Sequence, residues 1–346
     1  MKRAAYLLSL VPAIFAVTGN LLGAWWTLAG TAFLAALIVP DWLWKAKARW
    51  QGNEVVPDAV LVCQALLQTA SVASLIIGIW NHTISGWFVV SATYSTGLAA
   101  GAGGLTTAHE MIHRRCALHR WLGIWLCLLN RYSHYYIEHL QGHHRNVGLA
   151  DDPTTARLGE DFYRFYFRII PQQFWTALQM EASRLESRGR LPYGWRNFVV
   201  ASTALEWLLM ASIFAGAGWI ALAAFFFQGG IARFFWEAGS YVQHYGLVRQ
   251  SGDSVDETHS WQCNSVVSRL MLVEIVRHSD HHSHSARHYP DLASRDYSPE
   301  LPAGTFGLFA VVLLPPLWFA LAHPLLRHAA ELRAAFKQNF AHPASS

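Results

Sequence analysis

The residues best suited to chemistry in this chain are histidines that recur in three short clusters. The clusters are His109-Glu-Met-Ile-His113, His139-Leu-Gln-Gly-His143-His144 and His278-Ser-Asp-His281-His282. On a helix, residues three or four positions apart share a face, so several imidazoles of one cluster can converge on one point. Apolar membrane helices rarely carry this many titratable groups unless the groups line a site. The spacing therefore predicts a metal-binding site.

The number of histidines indicates how many metals the site holds. The first cluster is an HExxH motif, which in soluble proteases binds zinc with the glutamate as base. A zinc peptidase needs only three protein ligands, whereas the three clusters offer eight imidazoles. Two metals are therefore the economical count. Imidazole suits iron, copper and zinc alike, so the ligand type alone leaves the metal open.

The composition is that of a membrane protein. The chain has 346 residues, of which 53% are hydrophobic and 14% charged, against about 25% charged in soluble domains. The net charge of +4 comes from Lys and Arg around apolar segments, so nucleic acid is not an expected partner. The four cysteines form no CxxC pair, which argues against a disulfide framework or a fused iron–sulfur domain. Electrons, if needed, must come from another protein.

Six apolar segments are long enough to cross a bilayer, which takes about 20 helical residues. They are residues 5–21, 24–44, 59–80, 86–107, 198–216 and 219–238. The fold class predicted from them is an all-α integral membrane protein. The first segment follows Lys2 and Arg3 but leads into the second without a cleavage site, so it is predicted to be a span rather than a signal peptide.

The distribution of Lys and Arg predicts the orientation. Basic residues precede the first span and follow the second and fourth, whereas the loop at residues 81–85 has none. Both termini are therefore expected inside, and this topology puts all the histidine clusters at the cytoplasmic side of about six spans. The expected location is the bacterial cytoplasmic (inner) membrane.

The remaining segments are expected to lie at the membrane surface, and residues 1–346 to form a single membrane-embedded domain. Residues 120–194 form the predicted interfacial region, whose part after residue 151 is typical of a helix pair. Residues 244–330 form a C-terminal metal-binding and interfacial segment. Within it, residues 306–321 are apolar but interrupted by Pro315 and Pro316, so a surface or re-entrant element is favoured over a seventh span.

Longer motifs connect these clusters with a known family. They are His109-Glu110-x-x-His113-Arg114, Glu138-His139-x-x-Gly142-His143-His144, Asp152-Pro153-x-x-Ala156-Arg157-Leu158-Gly159-Glu160, His244-Tyr245-Gly246-Leu247 and Arg277-His278-Ser279-Asp280-His281-His282. From about the third span to Trp318 the chain resembles the membrane-bound non-haem di-iron alkane 1-monooxygenases of the fatty acid desaturase/hydroxylase group. The xylene monooxygenase hydroxylase component is a near relative.

The resemblance implies a cofactor, a ligand set and a reaction. It implies two iron ions held by nine histidines, and it supplies the ninth, His244, which spacing alone does not identify. The expected metal ligands are His109, His113, His139, His143, His144, His244, His278, His281 and His282. Ligating imidazoles need a hydrogen-bond partner on the other ring nitrogen, and the candidates are Glu110, Glu138, Glu237 and Asp280.

The implied reaction inserts one O2-derived oxygen atom into an unactivated C–H bond, with terminal hydroxylation of a medium-chain alkane to a 1-alkanol as the first expectation. The apolar substrate would enter from the membrane lipid. Electrons would come from an external rubredoxin or ferredoxin-type donor with its NAD(P)H reductase. The metal would carry the difficult chemistry while the protein positions the substrate.

Three other functions stay open on the sequence. Ser240 and Gln243 stand where alkane hydroxylases usually have Asn and Glu, and a glutamine there is similar to the xylene branch, which hydroxylates the methyl group of alkyl aromatics. A lipid or fatty acid desaturase could use the same metals, although the His244-Tyr245-Gly246 box disfavours it. A membrane metal transporter is the non-enzyme alternative, but its ion site should lie near mid-span rather than at one end.

Overall fold

The computed structural model describes residues 2–52 and 55–340, and these residues form helices and turns without a β-strand. The α-helices are α1 Val11–Leu22, α2 Ala29–Ala36, α3 Ile38–Leu43, α4 Val55–Trp80, α5 Phe88–Ala99, α6 Thr106–Ile112, α7 Ala117–Leu129, α8 Tyr135–Ile137, α9 His144–Asn146, α10 Phe162–Glu186, α11 Phe198–His244, α12 Val266–Met271, α13 His278–Ser283, α14 Thr305–Val312 and α15 Pro315–Phe340. Short 3₁₀ helices span Arg3–Leu10, Ala24–Leu28 and Tyr289–Asp291, and π-helical segments span Ala100–Leu105 and Glu138–His143. The predicted all-helical class is confirmed.

Four helical stretches of the described residues are long and apolar enough to cross a membrane. They are Arg3–Leu22, Ala24–Leu43, Val56–Trp80 and Phe198–His244. The predicted fourth span, residues 86–107, lies in α5, the following π-helical segment and α6, which continue without interruption. The apolar segments found in the sequence are therefore helical, as their length and hydropathy indicate.

The 47-residue helix α11 contains the fifth and sixth predicted spans, and the chain reverses between them at Gly218, where φ is 81°. Both halves contact the same turn: the Glu206 carboxylate accepts a hydrogen bond from the backbone of Ser133 at 3.0 Å, and the Gln228 side chain donates to the Leu129 carbonyl at 2.9 Å. The positive φ explains the glycine. The reversal brings His244 back to the end where the first half begins.

The second half of α11 is longer than the predicted sixth span, which ends at residue 238. The helix continues to His244 because Glu237 and Gln243, which interrupt the apolar pattern, are buried within the protein rather than facing lipid. Buried polar side chains of this kind are tolerated in membrane helices where they face the interior of the bundle. The continuation matters because it carries His244 to the other histidines.

The sequence predictions for two further regions have different outcomes. The prediction of a helix pair after residue 151 is wrong. The segment instead forms a turn followed by the single 25-residue helix α10, with Pro171 inside it. The apolar stretch at residues 306–321 is broken as its prolines predict: α14 ends at Val312 and α15 begins at Pro315. Proline is well tolerated in the first turn of a helix but not in its interior.

A buried ion-pair group fixes the segment that precedes the third histidine cluster. The Glu274 carboxylate, fully buried, contacts the equally buried guanidinium groups of Arg269 at 2.8 Å and Arg277 at 3.4 Å, and it accepts a hydrogen bond from the Tyr6 hydroxyl at 3.0 Å. The two arginines also donate to backbone carbonyls between α3 and α4. Buried charges need such pairing. The group joins the N-terminal helix to the residue next to His278.

Candidate metal centre

The structure brings five of the nine expected ligands into one group: His109, His113, His139, His144 and His281. Their ring nitrogens lie within 4.8 Å of one another. The Nε2 atom of His139 lies 3.0 Å from the Nε2 atoms of His113 and His144, and His281 Nε2 lies 3.1 Å from His144 Nε2. The buried Nε2 of His109 has no hydrogen-bond partner within the described residues.

The other four imidazoles form a second group: His143, His244, His278 and His282. Their Nε2 atoms also face one another, with separations of 3.1 Å between His143 and His282 and 2.9 Å from His278 to both His244 and His282. The two groups adjoin, since the ring centroids of His144 and His282 lie 4.6 Å apart. All nine histidines therefore lie in one continuous cluster.

The spacing of the nitrogens fits a metal ion in each group. Metal–imidazole bonds are about 2.1 Å long, so two nitrogens bound at right angles lie about 3.0 Å apart, and at the tetrahedral angle about 3.4 Å. The observed 2.9–3.1 Å match the right-angled arrangement. Five imidazoles in one group also exceed the four ligands of a tetrahedral zinc site.

Burial keeps these imidazoles in the form that binds metal. Burial first, and neighbouring imidazoles second, hold the pKa values of His139, His144, His278, His281 and His282 well below their usual range. A lowered pKa means a neutral ring with a free lone pair, which is the ligating form. His113 and His144 are half-buried and the other seven are buried.

Local helix geometry decides which histidine joins which group. In an α-helix His139 and His143, four residues apart, would share a face. The segment Glu138–His143 is instead π-helical, and His139 shares its group with His144, five residues away, while His143 belongs to the other group. Single π-helical turns of this kind are frequent at functional sites. The α-helical spacing argument found the residues, but the division between the groups depends on this π-helical turn.

Within the residues that the structure describes, the carboxylate that forms a hydrogen bond with the cluster is Asp152, which is not among the four carboxylates predicted for this role. Its Oδ2 lies 2.9 Å from His143 Nδ1, and it accepts hydrogen bonds from the Thr155 hydroxyl at 2.7 Å and the Thr154 backbone at 3.1 Å. The carboxylate holds the proton on Nδ1, so that Nε2 points its lone pair into the second group. In the sequence, the motif that begins with Asp152-Pro153 was the feature that could have indicated this role.

Within the described part of the chain, none of the four predicted carboxylates makes a hydrogen bond to a histidine of the two groups, and three of them bind other residues. Glu110 contacts Arg114 at 3.0 Å, and Glu237 accepts a hydrogen bond from the Tyr132 hydroxyl. Asp280 contacts Arg287 at 2.6 Å and also Arg295, and it accepts from the Ala293 backbone at 2.8 Å, which anchors α13. Glu138 is buried without a hydrogen-bond partner there, and burial raises its pKa well above the usual range.

A small cavity lies among residues that neighbour the histidines. Its lining includes Thr106, Trp236, Gln243 and Ile275. Trp236 lies with its ring centroid 5.7 Å from that of His109, and Gln243 precedes His244 in the chain. Residues that line the cavity thus neighbour one histidine of each group: Trp236 contacts His109 and Gln243 is bonded to His244. We call it the inner cavity.

These features define an all-helical membrane protein with a polyhistidine metal centre, and comparisons with known proteins identify its family. Residues 85–306 match the fatty acid desaturase family. Alkane 1-monooxygenase 2 of Pseudomonas aeruginosa is 30% identical over 346 residues, covering 91% of this chain and 90% of the relative. The chain belongs to the fatty acid desaturase family.

Other relatives refine this placement. Alkane 1-monooxygenase 1 of the same organism is 35% identical over 70% of this chain, but the match spans only 63% of that relative. The Xylene/toluene monooxygenase hydroxylase component XylM of Pseudomonas putida is 28% identical over 92% of this chain and 88% of its own length. The predicted family and enzyme class, an oxidoreductase of the alkane 1-monooxygenase type, are confirmed by these relatives.

Proposed function

We propose that this protein is a membrane monooxygenase that inserts one oxygen atom of O2 into an unactivated C–H bond, hydroxylating medium-chain alkanes to 1-alkanols. The observation that carries the proposal is the convergence of nine buried or half-buried imidazoles into two adjoining groups beside the inner cavity. The named activities of the relatives support the same reaction. A site of this kind places an apolar substrate next to metal.

The proposed cofactor is a pair of iron ions, one for each histidine group. His109, His113, His139, His144 and His281 would hold one ion, and His143, His244, His278 and His282 the other. When bound and reduced, the irons would supply the activation of O2 that oxidation of an unreactive C–H bond requires. Imidazole ligands suit iron, and the right-angled nitrogen spacing suits an ion with more than four ligands.

The chain's own residues prepare the site for this chemistry. Asp152 orients the His143 ring, and the Glu274 group and the arginine contacts of Asp280 hold the two ends of the third cluster in place. The helices around the inner cavity would keep bulk water from the reacting carbon. Supporting contacts of this kind determine the precision of a metal site, because each ligand ring must keep one orientation.

Hydroxylation of a methyl group on an alkyl aromatic is the second candidate. Ser240 and Gln243, which differ from the usual alkane hydroxylase residues, both line the inner cavity together with the aromatic rings of Phe235 and Trp236. Aromatic walls favour an aromatic ring over a saturated chain, because aromatic rings attract one another in edge-to-face and offset-stacked arrangements. XylM, a relative named as a xylene/toluene monooxygenase component, aligns with most of the chain.

The proposed setting is the bacterial inner membrane, with six spans, both termini inside and the histidines at the cytoplasmic side. The Lys and Arg distribution supports this orientation. The electron donor would be a rubredoxin or a ferredoxin-type protein with its NAD(P)H reductase. An external donor is expected because the four cysteines, at positions 63, 116, 127 and 263, form no CxxC pair of the kind that binds an iron–sulfur or rubredoxin-type centre.

Whole-cell conversion of a mixed substrate panel tests the reaction. Cells that express the protein with a rubredoxin and its reductase would receive octane, p-xylene and palmitate, and products would be identified by mass spectrometry under ¹⁸O2. We expect 1-octanol carrying one ¹⁸O atom. Labelled 4-methylbenzyl alcohol in excess over octanol would favour the aromatic substrate instead. Olefins without alcohol would contradict the proposal and indicate a desaturase.

A further inference from the structure

Beyond the inner cavity, two further cavities lie between the helices on the apolar side. The nearer one, here the middle cavity, is lined by Leu98, Phe235, Phe306 and Phe309 among others. The farther one, here the outer cavity, shares Leu98 and Phe309 with it and is also lined by Phe234. Neighbouring cavities with common walls form a series, and the series ends at the inner cavity beside the histidines.

Two helices line the three cavities in the same order. Along α5 and its π-helical continuation, Leu98 lines the outer and middle cavities and Gly101 the inner one, one turn closer to His109. Along α11, Ile231 lines the outer cavity and Gly239 the inner one, closer to His244. Both helices thus lead from the apolar side to the histidines.

Phe235 stands at the junction, because its side chain lines both the middle and the inner cavity. The side chain is buried and packed on several sides. A Cβ atom at Gly101 would lie only 3.0 Å from Phe235 Cβ and 3.1 Å from its Cδ1, so the Phe235 side chain packs directly on the glycine backbone. On other sides its centroid lies 5.7 Å from that of Phe306 and 5.1 Å from that of Phe309.

We infer that the Phe235 ring is a constriction between the middle and inner cavities that admits the end of a slim apolar chain to the histidines and excludes wider groups. The inference rests on the proposed oxygenation. A chain that enters end-on presents its terminal carbon first, so the constriction makes Phe235 a determinant of terminal attack and of substrate width. Positioning of this kind decides which of several similar C–H bonds reacts.

The product ratio from octane tests the inference without depending on the total rate. Phe235→Ala should raise the ratio of 2-octanol to 1-octanol by about tenfold, the size of discrimination that sterics in an apolar pocket supply. Phe214→Ala is the matched control on the same helix, because the Phe214 side chain is exposed and lines none of the three cavities. It should leave the ratio within about twofold of the parent's.

Phe235→Leu is a smaller change and should shift the ratio of 2-octanol to 1-octanol in the same direction. This variant replaces Phe235→Ala in the test if the alanine variant fails to fold. The same ratio in the Phe235 variants and in the parent would overturn the inference while leaving the proposed function in place. A parent protein that makes no alcohol would overturn the proposed function instead.

A second measurement is independent of turnover. Anomalous diffraction from crystals soaked with 1-bromooctane should place bromine in the inner cavity of the parent protein. A branched bromide, 1-bromo-2-ethylhexane, should be confined to the middle and outer cavities in the parent and reach the inner cavity only in Phe235→Ala. Equal access of both bromides to the inner cavity of the parent would overturn the inference.

Discussion

Replacing His143 with alanine is expected to abolish hydroxylation and to lower the iron content of the purified protein from about two ions per chain towards one. His143 belongs to the group of four imidazoles, and its loss leaves three. It also leaves Asp152 without its imidazole partner in a buried position. The group of five imidazoles keeps all its ligands, so one ion should remain. Iron analysis and octane conversion in parallel measure both effects.

The matched control for this variant is His328→Ala. His328 is exposed, contacts Glu331 at 3.3 Å and lies in neither histidine group. It should retain the parent's iron content and activity. Activity in His143→Ala close to the parent's would remove His143 from the ligand set. Loss of all iron, with the protein still folded in the membrane, would show that the two groups do not bind metal independently.

Replacing Asp152 with alanine is expected to weaken iron retention about 100-fold, the upper range for removing a partner of a ligating histidine. The His143 ring would lose the acceptor that holds its Nδ1 proton and its orientation. Asp152→Asn should recover part of the loss, because the amide oxygen can still accept that hydrogen bond. Iron retention is measured by competition with a chelator, and octane conversion at limiting iron should fall with it.

Asp151→Ala provides the comparison within the same turn. Asp151 is exposed and Asp152 is buried, although the two are neighbours in the chain. The Asp151 variant should therefore hold iron like the parent. If Asp152→Ala and Asp151→Ala released iron equally readily, the carboxylate of Asp152 would not support the metal centre through His143.

The histidine clusters and the helices could be predicted because each depends on short-range patterns. Cluster spacing pointed to eight of the nine imidazoles that the structure brings together, and apolar length pointed to the long helices. His244 could not be found from spacing, because it is brought to the cluster by the reversal at Gly218 and by the length of the helix that follows. Only the resemblance to a known family indicated it.

The division of the histidines between the two groups could not be predicted, because it depends on a π-helical turn and on how distant segments pack. His139 pairs with His144 and not with His143 for this reason. The role of Asp152 could not be predicted from helical spacing, because Asp152 lies in a turn outside the helices that carry the histidines. Glu110 and Asp280 lie in those helices but contact arginines instead. Tertiary packing, which local spacing does not encode, decides such contacts.

The central claim is that the two imidazole groups hold iron, and metal analysis of the purified, active protein tests it most directly. Inductively coupled plasma mass spectrometry together with quantitative protein analysis should give about two iron ions per chain. Removal of the iron with a chelator should abolish octane conversion, and added ferrous iron should restore it. Active protein that contains no iron would contradict the account.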